Sequence, residues 1–179
     1  MHDILTAMPW SNTIDVVTIS GHTLKSVLEH AVSSYRTIDP SGRFLQVSGL
    51  ILTFDVRHPP GQRLLSAYAG HPSIPESCQP LNDSALYEVA VPSFLASGGD
   101  TFKMIPDSMV EYKNTGFLDS DLLVAFLRKN DPLQLPESGR LVVLSTSNPV
   151  VDASLAAKGH QQHLMITLSM LLMFVVAYL

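Results

Sequence analysis

The run Leu86-Tyr87-Glu88-Val89-Ala90-Val91-Pro92 constrains this chain more than any other stretch. Its β-branched and aromatic residues read as a strand. Pro92 ends it, because a proline has no N–H to give to a ladder. Behind it comes Ser93-Phe94-Leu95-Ala96-Ser97-Gly98-Gly99-Asp100-Thr101-Phe102: an exposed ring, a short turn and a Gly-Gly-Asp. Gly98 and Gly99 let the backbone take positive φ and approach a ligand closely. Asp100 can accept two hydroxyl hydrogen bonds, while Phe94 offers a flat face six residues earlier. Ring for base and carboxylate for ribose would suit a nucleoside. A plainer reading stands beside it, in which Phe94 is core and the glycines only turn the chain.

The 179 residues leave room for one domain and a tail. A hydrophobic share of 46% against 15% charged points to a buried core rather than disorder. A net charge of −5 with no basic patch argues against a nucleic-acid partner. The seven histidines are scattered, with no i, i+4 pair beside an acid and no Cys/His cluster, so no metal site is expected in this chain. Cys78 is the only cysteine, which rules out an internal disulfide.

Ile14 to Ile19 is a strand candidate after a loop at Met8 to Thr13. Leu24, Val27, Leu28, Ala31, Val32 and Tyr35 then fall on one stripe of an amphipathic helix, with Thr23 as its expected N-cap. Glu29 and His30 lie off that stripe and read as solvated. Strand material follows at Phe44 to Val47, Leu50 to Val56 and Arg63 to Ala69, and Gly70 to Asp83 reads as irregular. Within it, Asn82-Asp83-Ser84 is an N-glycosylation sequon, meaningful only on a secretory route. Asp119-Ser120 is expected to cap a second helix with Leu122, Leu123, Phe126 and Leu127 on its buried side, and Arg140 to Leu144 to be the last strand.

Composition shifts after Pro149. Small residues are followed by a polar stretch, Lys158 to His163, and an apolar run from 164 to 179. As a helix that run would reach only about 24 Å, short of a ~30 Å hydrocarbon core. Small residues, polar spacer and apolar tail are the layout of a GPI-attachment signal, with Asp152 as first choice of attachment residue and Ser154 as second. A tail-anchored helix is the main rival. Met1 to Asp3 shows no secretory leader, so the chain is expected to be the C-terminal part of a longer precursor.

Pro9-Trp10-Ser11-Asn12-Thr13-Ile14-Asp15, Ile19 to Leu24, Phe44 to Gly49 and Tyr87 to Phe102 together resemble the C-terminal domain of ecto-5′-nucleotidases, the 5′-nucleotidase/apyrase family, with a tail similar to that of the GPI-anchored animal type. The resemblance implies a mixed α/β fold of mixed sheets with two main helices. It also implies a division into 1–147 as an N-terminally incomplete substrate-binding domain, 148–163 as a linker carrying the GPI site, and 164–179 as a hydrophobic signal. By position, Trp10 and Phe94 match the two rings that clamp the base, Asp100 the acid on the ribose hydroxyls, and Gly98 and Gly99 the turn between them. Ser11 stands where the family usually has Gly. Catalysis is expected from an absent N-terminal metallophosphatase domain with two divalent, zinc-type metals, so no catalytic residue and no metal ligand is expected in this chain. The implied activity is hydrolysis of nucleoside monophosphates such as AMP at the extracellular face of the plasma membrane, with homodimers common among relatives. An apyrase-like hydrolase fragment and a non-catalytic surface nucleotide-binding protein remain as alternatives.

Overall fold

The computed structural model describes residues 4, 6, 8–36, 41–71, 74–130, 132, 139–145, 151–152 and 173–178. Two five-stranded mixed sheets share one core. In the first, β1 (Ile14–Ser20) lies between β6 (Leu86–Pro92) and β7 (Glu111–Lys113), antiparallel to both. On the other side of β6 come β10 (Met173–Tyr178) and then β2 (Gln46–Ser48). The second sheet runs β5 (Ile74–Pro80), β4 (Leu64–His71), β3 (Leu50–Asp55), β8 (Leu141–Leu144) and β9 (Val151–Asp152).

Helix α1 (Gly21–Val32) joins the sheets by touching β1 of the first and β4 of the second. The apolar stripe read from the sequence is the face it buries: Leu24, Val27, Leu28, Ala31 and Val32 are all inside. Each fully buried Leu or Val of this stripe contributes roughly 1.5–3 kcal/mol. The helix begins earlier than expected. Ser20, rather than Thr23, is the N-cap, and its hydroxyl accepts from the Thr23 N–H at 3.1 Å. Glu29 is not solvated either, since its Oε1 accepts from the Leu64 N–H at 2.7 Å and ties α1 to β4.

Three shorter or outer helices follow: α2 (Ser93–Ala96), α3 (Met104–Ser108) and α4 (Asp119–Lys129). Only Asp119 and Ser120 of α4 are buried, while Leu122 and Phe126 are exposed. The expected buried side of this helix is therefore only partly covered among the described residues, with Leu123 and Leu127 half-buried. Two further differences concern segments read as irregular or as a tail. Gly70 to Asp83 contains the edge strand β5, and part of 164–179 forms β10. Among the described residues, no helix is long and apolar enough to cross a membrane.

At the end of β3, the Asp55 carboxylate accepts from the Arg57 backbone N–H at 3.0 Å, Nε at 2.8 Å and Nη2 at 2.6 Å. These bonds, the side-chain one foremost, lower its pKa from 3.8 to about 2. The folded value lies below the unfolded one, so the ionised pair stabilises the fold above about pH 4. That contribution fades as pH falls toward about 2. Thermal melts of Asp55→Asn should start lower at neutral pH and show a shallower decline across that window; parallel curves for both proteins would refute the linkage.

Candidate functional site

The site starts from the register of β1 and β6, in which Ile14 is opposite Pro92. The chain entering β1 and the chain leaving β6 therefore emerge side by side at one end of the sheet. Ser93 locks them together. Its N–H donates to the Thr13 carbonyl at 2.8 Å, its hydroxyl accepts from the Thr13 N–H at 3.3 Å, and that hydroxyl lies 3.5 Å from Asn12 Oδ1. From the other side, the Asp119 N–H donates to the Asn12 carbonyl at 2.9 Å and the Ile14 N–H to the Phe117 carbonyl at 3.0 Å. The stretch carrying Trp10 is thus clamped between the end of β6 and the start of α4.

Both expected rings stand out from this end. Trp10 is 71% exposed and Phe94 44%. Leu95 and Ala96 point inward from α2, so Phe94 is the residue that short helix leaves outside. Ser11 has φ of 50°, a left-handed conformation that glycine takes without strain. The Phe94 ring lies over Gly99, where an added Cβ would sit 2.5 Å from three ring carbons. Gly98, with φ of 87°, turns the chain into a short 3₁₀ turn, Gly99–Thr101. Inside it, Asp100 and Thr101 also hold positive φ, at 48° and 66°. Asp100 is exposed and lines an open cleft of about 380 Å³ with Thr101, Ser41, Gly42 and Arg43. Asp100 and Arg43 thus line one cleft, while the Arg43 Nη2 donates to the Ser34 hydroxyl at 2.7 Å.

The geometry separates the residues singled out in the sequence into those it gathers and those it does not. Trp10, Phe94, Gly98, Gly99 and Asp100 come from the two strand ends. Phe102, which closes the motif, is fully buried and belongs to the core. Asn82 is exposed in the turn before β6, its Oδ1 accepting from the Ser84 N–H at 3.0 Å. Asp152 lies in β9, opposite Val142, and Ser154 is outside the described residues. Sequence reasoning missed Arg43 and His30. Arg43 follows a Ser-Gly turn like many surface arginines, and only the fold brings it beside Asp100. Among the described residues, no group of three or more His, Cys, Asp or Glu side chains is placed to hold a metal ion.

Two mixed sheets bridged by one helix, with two exposed rings and a carboxylate at the end of a central strand pair, define an α/β domain. Residues 1–107 match the family model for the 5′-nucleotidase C-terminal domain. A solved 5′-nucleotidase precursor from Thermus thermophilus is similar in fold, with a TM-score of 0.73 and 31% identity over 79% of this chain and 27% of that one. An apyrase from Tabanus yao is 36% identical over 79% of this chain and 26% of its own length. A 5′-nucleotidase from Bos taurus is 33% identical over 78% of this chain and 24% of its own. The chain belongs to the 5′-nucleotidase C-terminal domain family. It spans about a quarter of the length of these relatives.

Proposed function

We propose that this chain is the nucleoside-binding part of a 5′-nucleotidase that hydrolyses extracellular nucleoside monophosphates such as AMP to nucleoside and phosphate. The observation that carries the reading is the emergence of Trp10 and Phe94 from the paired ends of β1 and β6, with Asp100 six residues beyond Phe94. In this reading the two rings hold the base between their faces, where stacking is tolerant of base identity. The Asp100 carboxylate accepts hydrogen bonds from the 2′ and 3′ hydroxyls. Gly98 and Gly99 keep the turn free of side chains so that ring and carboxylate face one ligand.

Two divalent metals would supply activated water and stabilise the leaving oxygen in the whole enzyme. In this reading the chemistry at phosphate belongs to an N-terminal metallophosphatase domain. The match to an apyrase favours a second reading, in which the same nucleoside site serves a nucleoside di- or triphosphatase.

The ribose assignment is tested by titrating adenosine and 2′,3′-dideoxyadenosine into the chain. Adenosine should bind more tightly, and Asp100→Ala should remove most of that preference. Hydrogen bonds to a charged group are worth about 1.5–3 kcal/mol, so the loss should be at least about tenfold. Equal binding of the two ligands by the unaltered chain would sink the assignment.

For attachment to the cell surface, we propose Asp152, or Ser154 in its place, as the GPI-bearing residue, with the peptide bond after it broken and the whole chain beyond it, 164–179 included, released. Release would withdraw β10 from between β6 and β2. Phosphatidylinositol-specific phospholipase should then free the protein from intact cells; retention after treatment would point to a different anchor.

A further inference from the structure

Resting on the assignment of Asp100 to ribose, we propose that His30 is a positioning residue that holds the Asp100 turn in its binding conformation. Thr101 is β-branched and sits at φ of 66°, and Asp100 beside it at 48°. Positive φ is uncommon for any residue with a Cβ, and for a β-branched one it is an outlier. Such conformations are strained and persist only where surrounding contacts over-determine them. Gly98 permits the turn but does not hold it. The contact that reaches both strained residues comes from α1, seventy positions away in sequence.

His30 Nε2 lies 3.1 Å from the Asp100 carbonyl and 3.0 Å from Thr101 Oγ1. The Thr101 hydroxyl already donates its hydrogen to the Asp100 carbonyl. Both atoms facing Nε2 are therefore acceptors, and Nε2 carries the proton that bridges them. The imidazole is itself fixed. It stands in the last turn of α1, edge-on to the buried Phe102 ring at a centroid distance of 4.7 Å and an interplanar angle of 84°. A rigid core helix thus reads out onto two consecutive outlier residues, one of which carries the carboxylate. His30 touches the backbone of Asp100 and no ligand in this scheme, so it acts through Asp100.

The test uses Trp10, the only tryptophan, whose fluorescence reports a ligand stacked beside it. His30→Ala, His30→Gln and the unaltered chain are titrated with adenosine and with 2′,3′-dideoxyadenosine. Misplacement of an orienting contact by a fraction of an ångström to an ångström is expensive, so His30→Ala should weaken adenosine binding about tenfold. It should leave dideoxyadenosine, which has no 2′ or 3′ hydroxyl to find, unchanged. His30→Gln, whose amide can donate from nearly the same place, should restore most of the loss. Should His30→Ala fail to fold, Thr101→Val removes one of the two acceptors without touching α1 and should weaken adenosine alone by severalfold. Equal weakening of both ligands, or no weakening of adenosine, would overturn the positioning role. If the unaltered chain binds both ligands equally, the ribose reading of Asp100 fails first and the role of His30 falls with it.

Discussion

Phe94→Ala should weaken nucleoside binding by roughly 1–3 kcal/mol, the usual worth of stacking one base on an aromatic ring. That corresponds to about a 5- to 150-fold rise in Kd. In a complete enzyme carrying this domain, the same change should raise KM for AMP. The size of the effect follows from where the ring sits. Phe94 is 44% exposed, so its removal exposes little core and should change the melting temperature only slightly. Its contact with Gly99 fixes the ring without burying it. A large loss of affinity with a small loss of stability is the expected pair of results, read by calorimetric titration and thermal melting of the same samples. The reverse pair, unchanged affinity and a marked drop in melting temperature, would make Phe94 a packing residue.

Tyr87→Ala should act the other way, on stability above all. Tyr87 is fully buried and is the first inward-facing residue of β6. Its hydroxyl accepts from the Asn82 N–H at 2.9 Å, so it also fixes the turn that leads into the strand. Removing a buried ring of this size costs about 3–5 kcal/mol, or roughly 6–20 °C in Tm for a chain of this length. Tyr87→Phe separates the two contributions. It keeps the ring and leaves the Asn82 N–H without this acceptor, at about 1–3 kcal/mol. Denaturant unfolding of the three proteins should therefore rank them unaltered, Phe, Ala. A Phe variant as unstable as the Ala variant would mean that the hydroxyl, and not the ring, carries the position.

Much of this architecture is legible where a single periodicity decides the outcome. The stripe from Leu24 to Val32 repeats at helical spacing and is buried as one face, because α1 has sheet on both sides of that face. The strand before Pro92 is legible for a similar reason. Its residues favour a pleated surface, and Pro92 leaves no doubt about its end. Strand β5 is hidden because Pro75 and Pro80 read as breakers. At the edge of a sheet, however, a missing N–H can face away from the ladder, and β5 is an edge strand. Helix α4 misleads in the opposite sense. Its spacing tells which face is apolar, but nothing in a helical repeat tells whether anything lies against that face. His30 shows the limit most plainly, since an off-stripe histidine looks solvated until the fold brings Asp100 and Thr101 to it. Trp10 and Phe94 were readable as a pair only through family resemblance, because eighty-odd residues separate them and neither spacing nor composition connects them.

The pairing of Ile14 with Pro92 has an engineering consequence. Both rings ride on short arms beyond the last rung of a ladder whose side-chain alternation would invert with a slip of one residue. The strands are therefore the fixed frame from which the arms, 8–13 and 93–102, extend, the second anchored in the core by Leu95, Ala96 and Phe102. In the proposed site, a change of ring size on the first arm, where Trp10 is 71% exposed, should alter the ligand fit with little effect on the core. A graft of both arms onto another member of this fold should carry ligand preference with it, whereas a graft of one arm alone would mismatch the two halves of the grip.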